Sequence, residues 1–160
     1  MKKINYISLA LLMLVFSSCL KSGLDDLPAF DEANIENFTF EYRWLVKNGD
    51  YDQLRVYPMD VNSTVDEISN TVNCVITVPS ATDTGANPKD DFPTEIRNQV
   101  SLSSLVGYAN ISTAATMSPI DNAPKLGEMG DYSVSPLMYK VVAADGTVKE
   151  WTLNITEFNK

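Results

Sequence analysis

The sequence predicts an all-β domain, a sandwich of about seven strands. Apolar and polar residues alternate with period two in FTFEYRWLV and TVNCVITV, the pattern of half-buried strands. The segment PLMYKVVAADGTVKEWTLNIT places two such runs around Asp145-Gly146, the pattern of a β-hairpin. No long stretch shows the period of an amphipathic helix.

In chain order, the first element is a leader. Lys2 and Lys3 precede an apolar run from Ile4 to Phe16, then Ser17, Ser18 and Cys19. A charged start, an apolar middle and small residues at a cleavage site make residues 1–18 a secretory signal. Its apolar run of about 13 residues falls short of the ~20 that cross a bilayer. Phe16-Ser17-Ser18-Cys19 resembles the lipobox of bacterial lipoproteins, which implies cleavage before Cys19 and acylation of its sulfur and new amino group. Two or more acyl chains hold a protein on a membrane stably. Residues 19–33 then form the acylated cysteine and a flexible, acidic tether broken by Gly23 and Pro28. Asp25 and Asp26 are similar to acidic export signals of some Bacteroidetes lipoproteins. That resemblance implies an outer-membrane, lipid-anchored protein displayed at the cell surface, with the periplasmic face as the other location.

The folded part, residues 34–160, opens with a strand whose Phe38, Phe40, Tyr42, Trp44 and Val46 share one face. A turn at Asn48-Gly49-Asp50 leads to a weaker strand, Leu54 to Met59, which Pro58 places near an edge. From Thr71 to Val78, the residues Val72, Cys74, Ile76 and Val78 share a face, so Cys74 reads as a small buried apolar residue. Residues 79–99, with Pro79, Gly85, Pro88 and Pro93, read as a long loop ending in a helical turn at Thr94 to Gln99. A short strand at Tyr108 to Ser112 and an irregular return follow. The last hairpin has two registers to choose from. A two-residue Asp145-Gly146 turn would pair Lys140 with Trp151 and Val142 with Lys149, mixing charged and apolar side chains on one face. A three-residue loop, Ala144-Asp145-Gly146, pairs Tyr139 with Trp151, Leu137 with Leu153 and Lys140 with Glu150, and it segregates the faces.

The C-terminal half, with LSSL, YANIS and GDYSVSPLMYKVVAADGTVKEWTLNI, resembles the Ig-like β-sandwich domains of unknown function found in Bacteroidetes surface lipoproteins. Asp131, Ser133, Pro136, Tyr139, Val141, Ala143, Asp145, Gly146, Lys149, Trp151 and Leu153 occupy the recurring pattern. The likeness covers residues 101–156 well and 34–80 loosely. It implies an Ig-like sandwich, and several such domains belong to surface glycan-capture systems.

Charge and composition narrow the function. The chain has 12 basic and 21 acidic residues, a net charge of -9; losing residues 1–18 removes Lys2 and Lys3 and makes it -11 (10 against 21). Such a surface repels phosphate backbones, so nucleic acid is not an expected partner. There is no histidine, which removes Ser-His-Asp and Cys-His catalysis. Asp83-Thr84-Gly85 matches an aspartic-protease triplet, but no second triplet exists, and the segment reads as a loop turn. Asp50-Tyr51-Asp52 and the Asp83, Asn87, Asp90, Asp91 loop offer oxygen ligands without EF-hand spacing. No catalytic residue, metal or cofactor is expected.

Aromatic rings stack on the apolar faces of sugars. Phe38, Phe40, Tyr42, Trp44, Tyr139 and Trp151 fall on core faces, which leaves Tyr51, Tyr57, Phe92, Tyr108 and Tyr132 as exposed candidates for ligand binding. The expected function is non-catalytic capture of polysaccharide at the cell envelope. The alternative is a structural or assembly subunit that recognises an envelope protein through an exposed strand edge.

Overall fold

The period-two segments pair into two sheets. A computed structural model describes residues 29–82 and 91–160; Cys19, the signal, most of the tether and Asp83-Thr84-Gly85 lie outside them. The described strands are β1 (Ile35–Asn48), β2 (Tyr51–Pro58), β3 (Asp60–Asp66), β4 (Thr71–Thr77), β5 (Leu105–Ile111), β6 (Thr116–Ile120), β7 (Met129–Gly130), β8 (Leu137–Val142) and β9 (Val148–Asn159). Among the described residues, one α-helix, α1 (Thr94–Gln99), and a short 3-10 helix (Leu102–Ser104) precede β5. The strand orders are β2-β1-β5-β7 and β3-β4-β9-β8-β6. The protein is a β-sandwich.

Alternation in sequence becomes alternation in burial. Phe38, Phe40 and Tyr42 of β1, Val72, Cys74 and Ile76 of β4, and Tyr139, Trp151 and Leu153 of β8 and β9 meet between the sheets as one core. The Phe38 and Tyr139 rings contact across the gap at 5.6 Å. Each such side chain stabilises the fold by roughly 1.5–3 kcal/mol through burial.

The β8–β9 hairpin takes the three-residue loop. Tyr139 lies opposite Trp151, Leu137 opposite Leu153 and Lys140 opposite Glu150. Gly146 N–H donates to the Ala143 carbonyl (3.1 Å), and Gly146 has φ +93°, where a side chain would be strained. Asp145 accepts from Thr147 N–H at 2.7 Å, and Asp131 likewise accepts from Ser133 N–H at 2.9 Å. Within the recurring pattern, Asp131, Asp145 and Gly146 thus form turns, and Tyr139, Val141, Trp151 and Leu153 fill the core.

Four features differ from the sequence reading. Nine strands are present among the described residues, against about seven expected. β3 follows β2 after Met59 alone, yet belongs to the other sheet; the chain turns the corner where Met59 N–H donates to the Phe40 carbonyl (2.9 Å). The irregular return contains β6 and β7. At the start, Ala33 is already buried, because the Trp151 indole N–H donates to its carbonyl at 2.9 Å. Ala33, the last residue read as tether, is thus docked on the sandwich, and Asn34, the first residue of the expected domain, is tied to Ser112 (3.0 Å) and Lys149 (2.6 Å).

Candidate functional site

The site grows out of an unequal pairing. β5 pairs with β1 only as far as Glu41, opposite Val106, whereas β2 pairs with β1 from Glu41 to Asn48. Beyond Glu41, β1 and β2 therefore form a two-stranded ribbon that overhangs the sandwich. Its inner face continues the core stripe: Tyr42 lies opposite Tyr57, and Trp44 follows. With no further strand to cover it, Trp44 is only half-buried.

The open end is closed from the other side by Phe92. Thr82 and Phe92 form a small antiparallel bridge, with Phe92 N–H donating to Thr82 Oγ1 at 2.9 Å. Just after it, α1 is fastened by Arg97, which donates to the carbonyls of Pro79 (2.8 Å) and Val78 (3.4 Å). The Phe92 ring stacks on Tyr57 at 4.3 Å with 9° between planes and leans on Trp44 at 6.0 Å. Trp44 in turn stacks beside Tyr42 at 6.3 Å. The result is a cleft of about 440 Å³ whose lining includes Trp44, Tyr57, Pro58, Pro79, Asp60 and Asp91. That volume falls within the range of small-ligand sites.

Of the five predicted binding residues, Tyr57 lines this cleft. Phe92 is a correction: it is 0% exposed, because its ring plugs the gap between the sheets and supports the cleft from beneath. Tyr132 is a second correction, also 0% exposed. It packs edge-on against Phe40 at 5.1 Å, and its hydroxyl accepts from Gly107 N–H at 3.2 Å. Gly107 makes room for it: a Cβ there would lie 2.5 Å from that hydroxyl oxygen. Tyr51 stands at the ribbon tip, 81% exposed.

Tyr108 pairs with Thr39 and so lies on the outer face, away from the cleft. Its hydroxyl donates to Glu41 at 2.8 Å and accepts from Arg43, which also donates to Glu41 at 2.6 Å. Burial, reinforced by Glu41, holds the Tyr108 phenol above its usual range. The hydrogen bond to Glu41 is the main reason the Arg43 guanidinium lies higher still than normal. This cluster braces the sheet.

The sequence places Trp44 on the core face; it packs against the core and also lines the candidate cleft, which the sequence reading did not indicate. The available signal was its place four residues before Asn48-Gly49, near the end of a strand. Cys74 is buried as predicted, and burial pushes its thiol up to about 11. Among the described residues no three of His, Cys, Asp and Glu gather to hold a metal. Asp52, of the Asp50-Tyr51-Asp52 stretch, is paired with Lys47 at 2.8 Å. No helix among the described residues is long and apolar enough to cross a membrane.

Fold and cleft together define the class, a β-sandwich with an aromatic-lined cleft at one open end. The chain belongs to the DUF5018-related family, whose profile matches residues 35–154. It is similar to a protein of Bacteroides fragilis NCTC 9343 described as a presumed secreted protein, with a TM-score of 0.70 and 34% identity. The alignment covers 83% of this chain and 100% of that one. Comparison with curated proteins finds no match.

Proposed function

We propose that this chain is a non-catalytic, lipid-anchored protein of the bacterial outer membrane that captures glycan in the Trp44–Tyr57 cleft. The observation that carries the reading is a pair of half-buried rings, backed by Phe92, at an open end of the sandwich. Flat rings held in place by packing present apolar area to a sugar with little entropy to lose. The exposed Asp60 carboxylate beside them can accept hydrogen bonds from sugar hydroxyls.

Position supports the same reading. The chain joins the sandwich at Ala33 and Asn34, tied to Trp151, Ser112 and Lys149. Trp44 lies nine residues beyond Ile35 along β1, roughly 30 Å at ~3.3 Å per residue. The cleft therefore lies toward the far end of β1 from the point where the chain joins the sandwich. Likeness to a presumed secreted protein agrees with a location outside the cytoplasm.

The test is retention on immobilised polysaccharides with recovery of the glycan. Trp44→Ala and Tyr57→Ala are expected to weaken retention about tenfold or more, equivalent to ~1.4 kcal/mol. Tyr51→Ala and Tyr108→Phe are expected to leave it unchanged, and the bound oligosaccharide to return uncut. Equal retention of all four variants would remove the cleft from the reading; a shortened glycan would remove the non-catalytic part.

One observation favours a second reading, assembly with an envelope protein. On the outer face of the ribbon Leu45 lies opposite Leu54, and Leu45, Leu54 and Val56 are 63%, 53% and 45% exposed. β2 is also an edge strand, and an open edge can receive a further strand. Crosslinking in membranes checks it: a partner joined through a cysteine at Leu54 supports it, and a monomer alone opposes it.

A further inference from the structure

We infer that two copies of this chain pair through β2, edge to edge and antiparallel about Leu54, so that their two four-stranded sheets become one. Pairing there is independent of what the cleft binds. The bonds between β1 and β2 decide which backbone groups of β2 are open. Met59 N–H donates to the Phe40 carbonyl at 2.9 Å, and the same register runs on to Asn48 opposite Tyr51. Bonded and unbonded pairs alternate along an antiparallel ladder, so Tyr51, Gln53, Arg55 and Tyr57 direct their backbone groups to β1. Asp52, Leu54 and Val56 direct theirs to the other side, where no strand among the described residues pairs with β2. Pro58 falls on that side too, and has no N–H to offer.

The other sheet edges among the described residues are protected in ways that β2 is not. β7 is two residues long, β6 carries Pro119 within five residues, and β3 is drawn to β1, its Ser63 Oγ accepting from Phe38 N–H at 3.2 Å. β2 presents eight residues, with Leu54 and Val56 53% and 45% exposed. A second copy fits this edge because the open groups are symmetric about Leu54. With Leu54 opposite the partner's Leu54, Asp52 meets the partner's Val56 and Val56 the partner's Asp52, and each pair can exchange both of its N–H···O bonds. Shifting the partner along the strand by the next permitted step sets Asp52 against Pro58 or Val56 against the turn residue Asp50, and a bonded pair is lost. The chosen register also places Tyr51, 81% exposed, opposite the partner's Tyr57 at the rim of the cleft, where the ring adds contact but none of the backbone bonds. Charge does not oppose the approach. From Glu41 to Val56, the acids Glu41, Asp50 and Asp52 balance Arg43, Lys47 and Arg55. The ribbon is thus a neutral surface on a chain of net charge -9, and two acidic copies repel least where their surfaces are neutral.

The experiment uses the full chain carrying Cys19→Ser, in which the remaining thiol, Cys74, is buried. Sedimentation equilibrium is expected to show monomer and dimer exchanging in the micromolar range, as suits a small interface. Leu54→Lys, which sets two ammonium groups side by side on the symmetry axis, is expected to weaken the dimer about tenfold or more with unchanged circular dichroism. Leu54→Pro removes an N–H that β1 does not use and should do the same. Single cysteines then test the register. Opposed residues of a bonded pair have Cα atoms ~5.5 Å apart, within reach of a disulfide. Leu54→Cys is therefore expected to give a covalent dimer on mild oxidation, Asp52→Cys and Val56→Cys to stay monomeric when each is alone, and a mixture of the two to crosslink. A chain that is monomeric throughout, or a dimer indifferent to both Leu54→Lys and Leu54→Pro, would overturn the pairing. Asp52→Cys alone crosslinking as readily as Leu54→Cys would overturn its register. If Leu54→Cys in membranes joins a different envelope protein and never a second copy, the edge belongs to the assembly reading and the pairing is overturned.

Discussion

Trp151 joins the beginning of the folded chain to its end. Its ring is fully buried, and its indole N–H reaches back 118 residues to the Ala33 carbonyl. Trp151→Ala is expected to cost ~3–5 kcal/mol through the cavity it leaves, read from urea unfolding. Trp151→Phe should cost less, since it keeps most of the volume and loses the bond to Ala33. Cys74 shows a different consequence of burial. Its thiol rises from an ordinary value of 9.0 to about 11. Below pH 9 the thiol is protonated in both the native and the unfolded chain, and stability is unaffected. Between about pH 9 and 11 the unfolded chain releases the proton that the native chain keeps, so stability falls as pH rises. Cys74→Ala should flatten that part of the alkaline unfolding curve. Burial raises Tyr132 and Tyr139 as well, so some alkaline loss should persist in the variant. The periodic residues Phe38, Phe40, Cys74 and Trp151 were legible one by one, because alternation along a strand assigns a face. Phe92 and Tyr132 were not, because they lie outside regular strands, where period gives no face and only the tertiary fold buries a ring.

At the scale of elements, legibility followed the range of the pairing. The β8–β9 hairpin could be read to the residue because its register depends on a loop of three residues and on the side chains beside it. β1, β4 and α1 also occur where pattern placed them. β3 was missed because its inward residues, Val61, Ser63 and Val65, are only half-buried and include a hydroxyl, so selection for apolar period is weak. β6 carries Pro119 and lies at a sheet edge, where proline is tolerated. β7 is two residues long, too short to have a period. Two glycines give element-level predictions. Gly146→Ala places a side chain at φ +93° and is expected to cost ~1–2 kcal/mol, seen as a lower Tm with unchanged strand content. Gly107→Ala drives a Cβ into the Tyr132 hydroxyl and should be the more damaging of the two, since Tyr132 has no free side to move to.

Across the whole molecule, the cleft was the least legible feature, and topology explains why. Trp44, Tyr57, Asp60, Pro79 and Asp91 come from β1, β2, the start of β3 and the two sides of the segment after β4. Their meeting depends on where β5 stops and on a corner that moves the chain between sheets after one residue, and no local pattern encodes either. The same topology makes the last strand decisive. β9 lies between β4 and β8, and its parallel pairing with β4 sets Thr71 beside Thr152 and Val72 beside Leu153. Without β9, the five-stranded sheet divides into the pairs β3-β4 and β6-β8, and the core loses Trp151 and Leu153. Two-stranded units are marginal in water, so a chain ending at Asp145 is expected to show no cooperative unfolding transition. The full chain should fold on the millisecond-to-second scale of domains dominated by distant pairings. Calorimetry and stopped-flow fluorescence of the two chains check both expectations. A cooperative transition in the shortened chain would mean that the β1-β2 ribbon and its cleft fold independently of the sheet β9 completes, and the two ends of the sandwich would then be separable units.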